Sequence, residues 1–204
     1  MKLIGMYDSP YVRRVAVSLH MLGLPFEHES LSVFSDYDTF ATINPVVKAP
    51  TLVTDDGIVL LDSTLILEYA ERFAAAGRLL TPKDPQLFAR AQRIVGLALA
   101  ACEKTVQIVY EFNLRPEEKR HRPWLDRVQE QLGMAYRLLE AEVQNASPWL
   151  FADRPLQADV SVAVAFRFTR EMLPERLDPA RHQNLAALSA HGEQTEAFLA
   201  CPFR

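Results

Sequence analysis

The chain has 204 residues and little cysteine, with Cys102 and Cys201 as its only two. They lie far apart and form no CxxC pair, so they predict neither a disulfide framework nor a thiolate metal site. None of the five histidines has the spacing to cysteines or carboxylates that is typical of zinc ligands, so no metal is expected. Both cysteines are interpreted as inert thiols.

Long apolar runs and a strong net charge are also absent. No run approaches the roughly 18 apolar residues that a membrane-spanning helix needs, and the N-terminal MKLIGMYDSP lacks the apolar region of a signal peptide. A cytoplasmic location is therefore predicted. The 22 Lys plus Arg against 26 Asp plus Glu give a net charge of −4, which does not favour binding to nucleic acid or to an anionic membrane. A small molecule or another protein is the expected partner.

Residues 1–77 alternate between strand-like and helical patterns, which predicts a βαβ unit followed by a ββα unit. Gly23 and Gly77 follow predicted helices at the position where C-terminal capping glycines belong. The predicted strands cover 3–7, 26–33, 51–54 and 58–61, and the predicted helices cover 10–22, 36–43 and 64–76.

Residues 78–85 contain Pro82 and Pro85 and predict a linker. Residues 86–204 show helical patterns only. This change predicts an α+β protein of two domains, in which a strand-containing domain at 1–77 precedes an all-α domain at 86–204. The predicted helices of the second domain cover 86–113, 124–146, 158–172 and 178–200.

Ser9 and Pro10 are residue types preferred at the N-cap and the first position of a helix, so Ser9 is expected to start the first helix after the first strand. The positive end of a helix together with a hydroxyl donor stabilises a thiolate held beside it. The alternative interpretation of Ser9 is a plain structural cap.

Lys48-Ala49-Pro50 precedes a strand-like run. A cis bond before Pro50 would turn the Ala49 backbone outward as a strand edge for a peptide-like ligand, and Lys48 offers a cation to a carboxylate. The alternative is a trans turn proline beside a solvated lysine.

Asp62 and Ser63 begin another helix at a strand end, where Ser63 and the free N–H groups suit a carboxylate and Asp62 suits an ammonium group. Simple helix capping is the alternative for this motif. Together the three motifs describe a pocket for a molecule with a thiol, a peptide backbone and an amino-acid end. Glutathione carries all three.

The chain resembles the cytosolic glutathione S-transferases over essentially its whole length. SPYVRRV, NPVVKAPTL and LLDSTLILEYA carry the resemblance in a thioredoxin-like N-terminal domain, followed by the helical domain. The serine of SPY is similar to that of the Ser-type transferases, including plant tau-like and related bacterial enzymes. The resemblance implies a homodimeric detoxification enzyme that conjugates glutathione to a hydrophobic electrophile. A maleylacetoacetate-type isomerase is ranked lower, because the SSCSxR-like motif expected of it is absent. A peroxidase activity stays open, because the same thiolate can attack a peroxide oxygen.

The resemblance also implies roles for the glutathione-binding residues of this chain. Lys48 contacts the glycyl carboxylate, and Ala49 before a cis Pro50 pairs with the cysteinyl backbone. Asp62 and Ser63 hold the γ-glutamyl end.

For the catalytic hydroxyl, the resemblance implies Ser9, which hydrogen-bonds the glutathione thiolate. Tyr7 is the alternative donor, because Tyr-type transferases place their catalytic hydroxyl near this position. We rank Ser9 first, since both the SPY context and the expected N-cap position favour it.

An apolar co-substrate site is expected largely from the helical domain, although aromatic residues there are more often core. A non-catalytic adaptor, similar to the stringent starvation protein, is the alternative function, and it predicts a degraded glutathione site. The candidate residues of the co-substrate site are Tyr11, Tyr110, Phe112 and Trp124.

Overall fold

The computed structural model describes residues 1–203 as two compact units. The first unit comprises Met1–Leu80 together with the chain from Gln194 onward, and the second comprises Thr81–Glu193. The expected helical domain at 86–204 differs from the second unit at its end, because the last residues pack with the first unit. Within residues 1–203, no helix has the length and apolarity that crossing a membrane requires.

The first unit contains a four-stranded sheet and three helices within its first 80 residues, with a fourth short helix near residue 200, which confirms the predicted fold class. The strand order is β2-β1-β3-β4, with β1 and β2 parallel and the other pairs antiparallel. The strands are β1 (Lys2–Ile4), β2 (Glu27–Glu29), β3 (Thr51–Val53) and β4 (Val59–Leu61), and the helices are α1 (Pro10–Leu22), α2 (Tyr37–Ile43) and α3 (Ser63–Glu71).

The register of the sheet aligns the ends of three strands. Ile4 at the end of β1 lies opposite Thr51 at the start of β3, and Thr51 lies opposite Leu61 at the end of β4. Three segments therefore lie at the same end of the sheet: the one after β1, the one before β3 and the one after β4.

Helix α1 has the bounds that its sequence predicts. Ser9 is the N-cap and Pro10 the first helical residue, while Gly23 ends the helix in the left-handed conformation with φ 72°. A residue with a side chain is disfavoured at such a φ, which explains the glycine there.

The prediction for Gly77 as a capping glycine is wrong. Helix α3 ends at Glu71 instead of Ala76, and Gly77 lies within a short 3-10 turn at Ala76–Arg78. The Glu71 carboxylate accepts a hydrogen bond of 2.7 Å from the Leu80 N–H, so the chain after α3 folds back toward the end of that helix.

The second unit is helical, and its helices α4, α5, α6 and α7 pack in the pairs α4–α5, α4–α6, α5–α7 and α6–α7. The predicted helix over 178–200 is wrong as one element, because it divides into a 3-10 turn at Pro179–Arg181 and two helices, the second of which belongs to the first unit. The helices are α4 (Pro85–Asn113), α5 (Arg122–Val143), α6 (Gln157–Met172), α7 (Gln183–Gly192) and α8 (Glu196–Leu199).

Helix α6 begins around a fully buried carboxylate. Asp159 accepts hydrogen bonds of 2.9 Å from the Leu156 and the Leu150 N–H groups, and Leu156 itself offers no side-chain cap. Burial raises the pKa of Asp159 to about 6, although the two N–H groups act in the opposite direction. Asp159 therefore connects the helix start to the loop that precedes it.

We expect Asp159→Ala to destabilise the protein by about 2–4 kcal/mol, because it leaves two backbone N–H groups unpaired. The folded-state pKa of Asp159 lies above its unfolded value, so the stability that it contributes falls as pH rises through about 6. Urea unfolding should therefore show a larger loss at pH 5 than at pH 7.5. Asp153→Ala, at an exposed carboxylate in the same loop, is the matched control. An equal loss in both variants would contradict this role.

Candidate functional site

The end of the sheet at Ile4, Thr51 and Leu61 brings together the three segments that contain the candidate motifs. A Cβ atom built on Gly5 would lie 3.0 Å from the Ala49 Cβ, so the chain after β1 runs directly against the chain before β3. On the other side, the Arg14 Nη1 of α1 donates a 3.0 Å hydrogen bond to the Ser63 Oγ of α3. The segments that carry Ser9, Ala49 and Ser63 are thus linked by direct contacts.

Ser9 is half-buried at the start of α1, and its Oγ accepts a 3.4 Å hydrogen bond from the Val12 N–H. This contact uses a lone pair of the hydroxyl, and the hydroxyl hydrogen takes no part in it. The same side chain can therefore cap the helix and donate a hydrogen bond to an anion, so the structural and the chemical interpretations of Ser9 are compatible.

The segment before β3 is held from inside by a buried asparagine. Asn44 Nδ2 donates a 2.8 Å hydrogen bond to the Thr51 Oγ1, which in turn donates a 2.8 Å bond to the Lys48 carbonyl oxygen. The Ala49–Pro50 peptide bond is cis, which confirms the prediction. Within residues 1–203, the N–H and C=O groups of Ala49 have no hydrogen-bond partner, and Lys48 is exposed.

At the start of α3, Asp62 Oδ1 accepts a 2.8 Å hydrogen bond from the Thr64 N–H, so Asp62 is a helix cap with an exposed carboxylate. Ser63 is buried, and its Oγ shares the Arg14 guanidinium with the Thr64 Oγ1, which accepts at 3.2 Å. A buried cation therefore lies under the first turn of this helix.

Backbone strain concentrates in two of these segments. Val47 has φ 50° and Asp62 has φ 71°, and they are the non-glycine residues of the described chain with positive φ. A β-branched residue in this region is a genuine outlier, because its side chain clashes with the backbone. Such strain persists where the surrounding structure imposes it, most often at functional sites.

Tyr7 takes a different position from Ser9. Its ring stacks on His28 with 3.9 Å between centroids. Burial is the main cause that raises the pKa of Tyr7 well above its usual value. The phenol is therefore a neutral group, and it lies before the helix start that Ser9 caps.

Two of the four predicted co-substrate residues lie in one groove of the second unit. Tyr110 and Trp124 line a groove of about 430 Å³ together with Leu114 and Pro116. Phe112 does not line it, because its ring lies under the guanidinium groups of Arg120 and Arg176, at 5.0 and 5.9 Å. Tyr11 belongs to the first unit, on α1.

The carboxylate of Glu111, which also lines this groove, is paired with neighbouring groups. Glu111 is buried, and its carboxylate pairs with the Arg115 Nε at 2.9 Å and accepts a 3.0 Å hydrogen bond from the His121 N–H. The groove therefore presents aromatic and aliphatic surface beside a compensated ion pair.

Sequence reasoning missed the residues that support the site from inside. Arg14, Asn44 and Thr51 have no distinctive spacing, and their roles follow from contacts that the fold creates. Within residues 1–203, no group of three His, Cys, Asp or Glu side chains is arranged to hold a metal ion.

Comparison with known proteins agrees with this geometry. The family model "Glutathione S-transferase, N-terminal domain" matches residues 3–77. The uncharacterized GST-like protein YibF of Escherichia coli is 31% identical over 165 residues, which cover 81% of this chain and 80% of YibF. Maleylacetoacetate isomerase of Pseudomonas aeruginosa is 26% identical over 172 residues, which cover 78% of this chain and 77% of the isomerase.

Two solved structures are similar over nearly the whole length. The glutathione S-transferase of Methylobacterium radiotolerans in complex with glutathione sulfonate is 30% identical, with a TM-score of 0.89, and the match covers 100% of this chain and 95% of that protein. A glutathione transferase family member from Pseudomonas fluorescens with bound glutathione is also 30% identical, with a TM-score of 0.85 and coverage of 98% and 97%. By sequence and by fold, this chain belongs to the glutathione S-transferase family.

Proposed function

We propose that this protein is a Ser-type glutathione transferase. It binds glutathione at the end of the sheet marked by Ile4, Thr51 and Leu61, holds its sulfur as a thiolate beside Ser9 and conjugates it to an apolar electrophile. The observation that carries the proposal is that the segments containing Ser9, Ala49 and Ser63 meet at one end of the sheet. Relatives of about 30% identity were solved with glutathione or glutathione sulfonate, which supports the choice of ligand.

Each segment suits one part of glutathione. The unpaired backbone groups of Ala49 match the cysteinyl backbone, and the exposed Lys48 matches the glycyl carboxylate. The γ-glutamyl ammonium is assigned to Asp62 and its carboxylate to Ser63, whose oxygen accepts from Arg14 and whose hydrogen can donate. The buried guanidinium below adds a positive charge that favours this carboxylate.

The thiolate is assigned to Ser9. Lowering the pKa of a thiol by about two units requires about 2.7 kcal/mol. A helix N-terminus contributes about 0.3–2 kcal/mol and a hydrogen bond to a charged group about 1.5–3 kcal/mol, so their sum of about 1.8–5 kcal/mol spans the required value. Tyr7 is less suited, because Ser9 and not Tyr7 caps the N-terminus of α1.

The apolar co-substrate is assigned to the groove of Tyr110, Leu114 and Trp124. We further propose that the protein works as a homodimer in the cytoplasm. Leu65 and Phe73 of the first unit are each 59% exposed, which leaves apolar surface for a second copy. The adaptor alternative is not favoured, because the three segments of the site are intact.

Calorimetric titration with glutathione tests the proposal, with S-methylglutathione as a ligand that cannot form a thiolate. A micromolar to low-millimolar Kd for glutathione supports it, and assays with aromatic halides and organic hydroperoxides then separate conjugation from peroxidase activity. Absence of glutathione binding would favour the adaptor.

For Ser9→Ala we expect kcat/KM for conjugation to fall roughly 10- to 150-fold, which corresponds to the loss of one hydrogen bond to a charged group, about 1.5–3 kcal/mol. The loss of the cap also lowers stability by about 1 kcal/mol. Ser9→Thr keeps both the hydroxyl donor and the cap and serves as the control. An unchanged rate in Ser9→Ala would transfer the role to Tyr7 or to the helix terminus alone.

Asp62 is tested by a pair of variants. Asp62→Asn keeps a capping oxygen and tolerates positive φ, so its melting temperature should stay close to wild type, while the loss of the charge weakens glutathione binding about tenfold. Asp62→Ala should lose both stability and affinity. Calorimetry and thermal melts measure the two effects separately, and wild-type affinity in Asp62→Asn would leave Asp62 as a cap only.

A further inference from the structure

Residues 45–50, which we call the α2–β3 loop, connect the C-cap of α2 to the first residue of β3. This loop contains Lys48 and Ala49, two of the residues that the proposed function assigns to glutathione. Both backbone polar groups of Ala49 are left for a ligand, so the conformation of the loop depends on hydrogen bonds made by its neighbours.

Asn44 holds the start of the α2–β3 loop with three of its polar groups. Its Oδ1 accepts a 3.0 Å hydrogen bond from the Val46 N–H, and its backbone carbonyl oxygen accepts one of 2.8 Å from the Val47 N–H. Its Nδ2 donates a 2.8 Å bond to the Thr51 Oγ1 at the other end of the loop. Because Asn44 is buried, water does not compete for these bonds.

Thr51 holds the end of the loop. Its backbone belongs to β3, which is paired on both sides by neighbouring strands. Its buried hydroxyl accepts the bond from the Asn44 amide and donates its own hydrogen to the Lys48 carbonyl oxygen at 2.8 Å. One hydroxyl therefore connects the sheet, the end of α2 and the carbonyl group that precedes Ala49.

The conformation of the loop is imposed by these contacts. Val47, in the middle of the loop, has φ 50°, which is unfavourable for a β-branched residue. Its own N–H and that of Val46 are the two groups that Asn44 binds. Without the hydrogen bonds of Asn44 and Thr51, the loop is expected to relax toward other conformations.

We propose that Asn44 and Thr51 are positioning residues that set the affinity of the site for glutathione. Their hydrogen bonds hold the Lys48 carbonyl group and the Ala49 backbone in the conformation that pairs with the tripeptide. This inference rests on the proposed function. A loop that is ordered before binding costs less free energy than one that the ligand must order, so loss of this network weakens binding.

The network and the thiolate belong to different segments of the site. The network ends at the Lys48 carbonyl oxygen, whereas the thiolate is assigned to Ser9 at the start of α1. A change in the network is therefore expected to alter the affinity for glutathione and to leave the pKa of the bound thiol unchanged. A general loss of structure would alter both.

Variants of two buried threonines test this separation. Thr51→Val keeps the β-branched shape and removes the hydroxyl, and Thr51→Ser keeps the hydroxyl. Thr105→Val is the matched control, because it removes a buried hydroxyl of the second unit that is hydrogen-bonded to the Ala101 carbonyl oxygen at 2.9 Å and to Thr169 at 2.7 Å. Calorimetry measures Kd for glutathione and for S-methylglutathione. The pH dependence of thiolate absorbance gives the pKa of bound glutathione.

We expect Thr51→Val to raise the Kd of both ligands about tenfold, because both bind through the same peptide backbone, with the pKa of the bound thiol close to wild type. Thr51→Ser should recover most of the affinity. Thr105→Val should bind both ligands like wild type even where its melting temperature falls. Wild-type affinity in Thr51→Val, a Thr51→Ser variant as weak as Thr51→Val, or an equal loss in Thr105→Val would overturn the inference.

Asn44→Asp provides a second measurement if Thr51→Val folds poorly. The carboxylate keeps an acceptor for the Val46 N–H, but it presents an oxygen to Thr51 in place of the amide donor and so draws the hydroxyl hydrogen away from Lys48. Its Kd should rise as in Thr51→Val, and the double variant should lose no more than the weaker single variant, since both changes break one network. Wild-type affinity in Asn44→Asp would also overturn the inference.

The wild-type protein separates this inference from the proposed function. If it binds neither glutathione nor S-methylglutathione, the proposed function fails, and the positioning role fails with it. If it binds both ligands and the variants of Asn44 and Thr51 bind them equally tightly, only the positioning role fails.

Discussion

The alignment of Ile4, Thr51 and Leu61 across three strands is the constraint on which the site depends. The three site segments are separated by tens of residues in sequence, and they share no local structure that would bring them together. A shift of register by one residue in β3 would move the Ala49 backbone away from the start of α1 and reverse the faces of the strand. Hydrogen bonding in the sheet thus determines the geometry of the ligand site.

Two neighbouring arginines of α1 contact different segments of the first unit. Arg13 and Arg14 follow one another on α1, and both are buried. Successive helical residues point about 100° apart, so the two guanidinium groups reach different partners. Arg14 contacts the start of α3, and Arg13 contacts the carbonyl oxygen of Cys201. Helix α1 therefore connects the start of α3 to residues 194–203.

The parts of the site that depend on local chemistry could be predicted from the sequence. Ser9 as an N-cap and the helix start at Asp62 each follow from residue preferences within a few positions. The cis bond before Pro50 follows only from the resemblance to the family, since X-Pro bonds favour the trans state. The end of α3 and the role of Gly77 could not be predicted, because the carboxylate of Glu71 binds the chain nine residues later. The contact between Arg13 and the Cys201 carbonyl oxygen spans 188 residues, which no local pattern reveals.

The return of residues 194–203 to the first unit also changes how the chain can be divided. Residues 1–80 and 194–203 belong to one unit, so the helical unit is in effect an insertion into it. A fragment that ends in the linker after Leu80 would lack the Phe198 ring and the Cys201 carbonyl oxygen, both of which contact the Arg13 guanidinium. The sheet-containing unit is thus completed by residues that follow the whole helical unit in sequence, and on the ribosome it stays incomplete until residues 194–203 have been synthesised.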